Sequence, residues 1–253
     1  MTNKNKNNQL VINSTWTENL ANNQLPDGKA LLAHLRTVHK NYAGFTEKCP
    51  SICCDNAGRN SYEWLAEIVP NTDGIRVLDL ACGSGPLLKI LYDRNKNFRL
   101  KGVDMCPEEL ALAKARLPKG VVDLFELKAQ NLVAIDDNSI DVVLCHWALT
   151  LMNPITPVLN EVNRVLSSGG KFVALVDGPM NAAPKYSDVH NLIYRFVQAK
   201  IPKYGEIDLG DPRIRNTDRS KNLLHEAFPD AVSYTHLRAH ETLRYLVCRL
   251  LLE

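Results

Sequence analysis

The sequence predicts a doubly wound α/β domain with a mostly parallel sheet, and three observations carry that expectation. From about residue 76 onward, short apolar runs alternate with stretches of helical spacing, the order that builds strand–helix–strand units. Several of the runs (VLDLAC, DVVLC, KFVALV) are nearly continuous in apolar residues, as strands are when helices cover both faces of a parallel sheet. The first run passes directly into a glycine turn and a helix start at Cys82-Gly83-Ser84-Gly85-Pro86, the junction at which such sheets bind ligands.

Taken in order, residues 1–27 are rich in Asn and Lys without lasting periodicity, which predicts a mobile or loosely docked head. Residues 28–70 read as a helical lid. KALLAHLRTVH at Lys29–His39 places apolar residues at three- and four-residue spacing, and Asn60 is placed to cap SYEWLAEIV before Pro70. Residues 71–231 form the main domain. Its strands are expected at Arg76–Cys82, Leu100–Asp104, Asp123–Lys128, Asp141–His146 and Lys171–Asp177, with helices at Pro86–Arg94, Pro107–Leu117 and Ile155–Leu166. Residues 178–217 hold four prolines and one helical stretch, YSDVHNLIYRFVQA, an insert of the kind that carries substrate contacts. A last helix is expected at Ser220–Ala227.

Composition narrows the function. The 253 residues are 45% hydrophobic and 23% charged, ordinary globular usage. Thirty Lys and Arg against 28 Asp and Glu leave +2, so no strong overall field draws the chain to nucleic acid or anionic lipid. No apolar run approaches the ~18 residues of a membrane span. The start, MTNKNKNNQLVINSTW, lacks the pattern of a secretory signal. Seven cysteines, an odd number without regular spacing, read as reduced thiols. The expectation is a cytoplasmic protein with no membrane or nucleic-acid partner.

The glycine turn carries the chemistry. Gly83 and Gly85 let the backbone approach a ligand, Pro86 suits the first helical position, and the free N–H groups of the helix start face the site. A dinucleotide site has a third glycine for close packing, where this chain has Leu88. Asp79 lies inside the strand four residues before Gly83, and a buried carboxylate there needs an amine or N–H partner. It repels a pyrophosphate and attracts an ammonium, so the expected ligand is a nucleoside carrying a zwitterion. Asp104 follows Gly85 by nineteen residues and is placed to accept both hydroxyls of a ribose, with Met105 against the base. A simple helix-capping role for Asp104 stays open.

These motifs resemble those of the class I S-adenosylmethionine-dependent methyltransferases, in the type 11 group related to the quinone-biosynthesis C-methyltransferases. The resemblance covers about Ser61 to Val176 and joins five motifs in order: VLDLACGSG, GVDMCPEELALAKARL, DDNSIDVV, CHWAL and EVNRVLSSGGKFVAL. It implies a Rossmann-like sheet ordered 3-2-1-4-5-7-6, with S-adenosylmethionine as cofactor and methyl transfer to a small-molecule acceptor. Asp79, Ala81, Cys82, Gly83, Ser84 and Gly85 would hold the methionine part, and Asp104 the ribose. Met105 and Gln130 or Asn131 would flank the adenine, because Ala129 stands where the family commonly has an acidic residue. Ala81 replaces a frequent Gly, and Ser167-Ser168 replaces Lys-Pro. Tyr62 and Trp147 are candidates for substrate contact. Tyr62 and Trp64 are alternatives for capping the methionine end, and core packing explains Trp64 equally well.

Methyl transfer relies chiefly on positioning, and a base is needed only where the acceptor must lose a proton. His146 at the end of the fourth strand is the candidate base, with a structural or cofactor-lining role as its alternative. Cys49, Cys53 and Cys54 with His34 and His39 match no common zinc spacing, and the acidic pairs Glu108-Glu109 and Asp136-Asp137 need no metal. No metal is expected. Asn153-Pro154-Ile155-Thr156 lacks the second Pro and the aromatic that grip a flipped base. Methylation of RNA or protein, and cofactor binding without catalysis, remain as rival readings, with a nicotinamide oxidoreductase behind them.

The last 22 residues stand apart. VSYTHLRAHET at Val232–Thr242 and LVCRLLLE at the end resemble a translated sequencing adapter read in one frame, with three variable index residues at 243–245. Residues 232–253 are therefore set aside, along with His236, His240 and Cys248 as site candidates. The terminal hairpin of the sheet is expected to be truncated.

Overall fold

In the computed structural model, residues 13–48, 54–55, 57–176, 186–203, 206, 209–230, 234–238 and 248–252 are described. Five parallel strands alternate with helices as expected: β1 (Arg76–Leu80), β2 (Arg99–Asp104), β3 (Val122–Glu126), β4 (Ile140–His146) and β5 (Leu166–Val176). Among the described residues, the helices α1 (Thr15–Ala21), α2 (Gly28–Asn41) and α3 (Ser61–Ile68) precede them. Between the strands run α4 (Pro86–Arg94), α5 (Pro107–Arg116) and α6 (Thr156–Val165), and after them α7 (Tyr186–Gln198) and α8 (Thr217–Ala227).

The sheet order is β3-β2-β1-β4-β5-β7-β6, with β6 at Tyr234–Arg238 and β7 at Cys248–Leu252. The places of the terminal hairpin are thus filled by residues of the adapter-like segment. An unpaired apolar edge on β5 is a template for any strand-forming run, and CRLLL supplies one. β7 pairs antiparallel with β5 at Leu175↔Arg249 and Val176↔Cys248, and with β6 along its length.

Period-two alternation divides the core into two layers. Leu78, Leu80, Val143, Phe172 and Ala174 face α6 and α8, where Val158, Val162, Leu223 and Phe228 are buried. Val77, Val142, Leu144, Val173 and Leu175 face α3 and α4, where Leu65, Leu87, Leu88 and Leu91 close the opposite layer. The strand order reverses at β1, which lies between β2 and β4. A crevice therefore opens at the carboxyl ends of these strands.

Residues 1–12 lie outside the described residues; within residues 13–27, α1 packs against α2. Ser14 caps α1 through a reciprocal bond with Thr17, and its hydroxyl lies 2.8 Å from His34 Nδ1. Trp16 stacks on His34 at 4.8 Å, and Leu20 is buried. A helix of seven residues is too short to display a period, so its docking onto α2 left no pattern to read. The loop before α3 also holds a 3-10 turn at Phe45–Glu47. Asn60 caps α3 with Glu63 as predicted.

Candidate functional site

The carboxyl ends of β1, β2 and β4 open into a cavity of about 640 Å³ covered by α2. Asp79, Ala81, Cys82, Gly83, Ser84, Asp104, Met105, Gln130, Tyr62, His146 and Trp147 all line it, so the structure gathers most of the residues singled out from the sequence. Two stand outside. Gly85 turns the chain into α4 at φ +76, and a Cβ there would lie 3.0 Å from the Ala113 Cβ. Its role is close packing against α5. Asn131 is exposed beyond the cavity wall, which leaves Gln130 facing in.

The floor is acidic. Asp79 is 2% exposed, and no donor or cation among the described residues reaches its carboxylate. Burial first, and the negative Asp104 second, push its pKa up to about 8. Near neutral pH the carboxyl is therefore mostly protonated, and a cation in the cavity would restore its charge. Asp104 is also raised by burial, against the bonds it receives from Cys106 and Gly83. Its two oxygens accept the N–H groups of Gly83 and Cys106, each at 2.8 Å. Asp104 thus both caps the entry to α5 and holds the glycine loop. The loop itself winds through left-handed geometry, with φ of +61 at Ala81 and +52 at Gly83. For Ala81 this costs about 1–2 kcal/mol, the price of an alanine where a glycine would sit freely.

The far wall is aromatic. His146 stacks on Tyr62 at 3.9 Å between centroids, and Trp147 tilts against His146 at 4.9 Å. His146 Nε2 lies 2.9 Å from the Ser61 hydroxyl. Burial brings the pKa of His146 down to about 3, so the ring is neutral and a weak proton acceptor. The geometry holds His146 in the cavity wall between Ser61 and Tyr62. Burial, then the charge of Asp79, also raises the Tyr62 phenol.

The lid contacts were not legible in the sequence. Leu31, Leu32 and Leu35 of α2 face the cavity, with Leu151, Met152 and Pro157 beyond them. Two carboxylates fasten this lid. Glu109, 1% exposed, accepts the Gly44 N–H with both oxygens at 3.1 Å and lies 2.6 Å from His39 Nδ1. Glu47 accepts the Ser84 hydroxyl at 3.1 Å and pairs with Arg116 at 2.7 Å. Burial opposes ionisation of Glu47, but Arg116 holds it below the usual carboxylate range. The signal for Glu109 was its place in the apolar phase of α5, four residues before Ala113. His34 and His39 are thus accounted for by Ser14, Trp16 and Glu109. Cys49 and Cys53 lie outside the described residues, among which no cluster of metal-binding side chains occurs.

Known proteins resemble this chain in sequence and in fold. A family model for a methyltransferase domain matches residues 78–174. A demethylmenaquinone methyltransferase of Thermus thermophilus is 30% identical over 138 residues, 54% of this chain and 60% of that protein. The mitochondrial 2-methoxy-6-polyprenyl-1,4-benzoquinol methylase of Schizosaccharomyces pombe is 30% identical over 183 residues, 66% of this chain and 56% of its own length. The chain thus spans little more than half of these curated relatives. Among solved structures, an S-adenosylmethionine-dependent methyltransferase from Mesorhizobium loti superposes with a TM-score of 0.53 at 18% identity, covering 76% of this chain and 97% of its own. The carbon methyltransferase CurJ superposes with a TM-score of 0.58 at 13% identity, covering 86% of this chain and 61% of its own. Motif order, sheet topology and these similarities show that the chain carries, over residues 78–174, a methyltransferase domain with the fold of S-adenosylmethionine-dependent methyltransferases.

Proposed function

We propose that the chain transfers a methyl group from S-adenosylmethionine to a small, largely apolar acceptor. The observation that carries the reading is Asp79, a buried carboxylate that faces the cavity without a partner among the described residues. An amino-acid ammonium supplies the missing charge. The rest of the site fits the same ligand: the open cradle at Gly83, whose Cβ would meet only Glu109 at 3.8 Å, Asp104 for a ribose, and Met105 with Gln130 for a base. When bound, the sulfonium offers an electrophilic methyl group to an in-line nucleophile, and the electron pair of the broken C–S bond stays on sulfur.

The chain's own part is positioning and exclusion of water. Tyr62, His146 and Trp147 line the cavity, where aromatic rings attract a cationic sulfonium, and a neutral His146 adds no repelling charge. Leu31, Leu32, Leu35, Leu151 and Met152 form an apolar surface for the acceptor. Two relatives are named for demethylmenaquinone and a polyprenyl benzoquinol, acceptors of that apolar kind. With Cys82, Cys106 and Cys145 free and buried, the reading places the protein in a reducing compartment such as the cytoplasm. Mass spectrometry of S-adenosylhomocysteine formed with a panel of apolar phenols and quinols tests the proposal. Product with such acceptors supports it. Cofactor binding with no turnover on any small molecule, RNA or protein fraction favours a binding protein.

A further inference from the structure

α7 carries an apolar stripe that faces away from the rest of the chain. Val189, Leu192, Ile193 and Phe196 recur at three- and four-residue spacing and are 55%, 57%, 53% and 73% exposed. No other described helix leaves more than one large apolar side chain this open. On the opposite side of α7, His190 and Tyr194 stack at 3.8 Å and are half-buried with Ser187 and Val197. A single exposed Leu is ordinary, but a contiguous stripe marks an interaction surface.

The charges beside the stripe identify the occupant. Residues 186–203 hold three cations, Arg195, Lys200 and Lys203, against one acid, Asp188, a local net of +2 in a chain whose total is also +2. Arg195 and Lys200 are exposed. A second copy of this chain would meet the stripe through the same patch and bring these cations against each other. An anionic lipid surface accepts both the stripe and the charges. α7 has 13 residues, too few to span a bilayer, and no described helix is long and apolar enough to cross one.

We infer that α7 is a membrane-surface helix that seats Val189, Leu192, Ile193 and Phe196 in the acyl boundary of an anionic bilayer while Arg195, Lys200 and Lys203 meet lipid phosphates. The near-neutral total charge, which argued against anionic lipid from composition alone, hides this local excess. The inference is independent of the methyl-transfer reading.

Co-sedimentation of the full chain with phosphatidylcholine vesicles, with and without phosphatidylglycerol, tests it. The chain is expected to bind the anionic vesicles at least tenfold more tightly and to be released by high salt. Arg195→Gln with Lys200→Gln should weaken that binding by roughly 25-fold, at about fivefold per cation. Leu192→Ser with Phe196→Ser should abolish it at either salt level, and both variants should keep the parent thermal transition because all four side chains are exposed. Equal binding to neutral and anionic vesicles, or none to either, overturns the inference. So does sedimentation of the parent chain as a dimer that Leu192→Ser with Phe196→Ser dissociates, which would assign the stripe to a second copy.

Discussion

Asp79 makes cofactor binding depend on pH in a calculable way. With its pKa at about 8, roughly one chain in 11 is ionised there at pH 7 and one in about 100 at pH 6. If only the ionised form accepts an ammonium, apparent affinity is reduced by that fraction. Affinity for S-adenosylhomocysteine should therefore fall about ninefold between pH 7 and pH 6, and level off near pH 8. Above that the ligand's own α-amino group, with an ordinary pKa of about 7.7–8.0, loses its proton, so affinity peaks near pH 8. Isothermal titration calorimetry reads both the affinity and the proton. At pH 6.5, titrations in buffers of different ionisation heat should show release of about 0.9 proton per site. Asp79→Asn removes the acid limb and the proton release together, and weakens binding at pH 8. The linked effect on stability has a definite sign. The folded pKa lies above the ordinary 3.8, so the empty protein binds the extra proton and loses stability as pH rises through the window from 3.8 to about 8. Asp79→Asn should accordingly melt higher than the parent at pH 9. A flat affinity from pH 6 to 8, or the same limb in Asp79→Asn, refutes the reasoning.

Asp104→Ala should weaken the cofactor by about 1.5–3 kcal/mol, the range for hydrogen bonds to a charged group. Unchanged affinity by calorimetry would remove Asp104 from the site. Glu109→Ala leaves the Gly44 N–H and His39 without their acceptor and should cost about 1–3 kcal/mol in urea unfolding, with faster cofactor release as the lid loosens. Parent-like stability and release would show that the lid is held elsewhere. His146, neutral in this site, should contribute no limb to the pH dependence of kcat between pH 5.5 and 7.5, and His146→Asn should leave the shape of that profile unchanged. A limb near pH 6.5 that vanishes in His146→Asn would restore it as a base. Phe172 is fully buried and stacks against Phe228 at 6.2 Å, so Phe172→Ala should destabilise the chain by about 3–5 kcal/mol. A loss under 1 kcal/mol in urea unfolding would contradict the assigned core.

The parts of the fold that the sequence revealed are those whose signal is local. Strands β1, β4 and β5 announce themselves as apolar runs because both faces are covered, and Gly83, Gly85 and Pro86 specify a turn from backbone chemistry alone. Asp79 was legible because a carboxylate inside an apolar strand contradicts its surroundings. What escaped depends on contacts between segments distant in the chain. The bond from Glu109 to Gly44 spans 65 residues, and that from Glu47 to Ser84 spans 37, so neither leaves a periodic trace. His146 shows the same limit: its residue type suggests a base, while its stacking on Tyr62 and its bond to Ser61 come from segments 85 residues apart in the chain. The pairing of residues 248–252 with β5 follows from the open edge of that strand rather than from any pattern in residues 232–253.

A crystal structure of the chain with S-adenosylhomocysteine bears most directly on the central claim. The account places the ligand's amino group within about 3.2 Å of the Asp79 carboxylate, its ribose hydroxyls on Asp104, and its sulfur toward the ring faces of Tyr62 and Trp147. A ligand bound elsewhere, or an amino group turned away from Asp79, would contradict it.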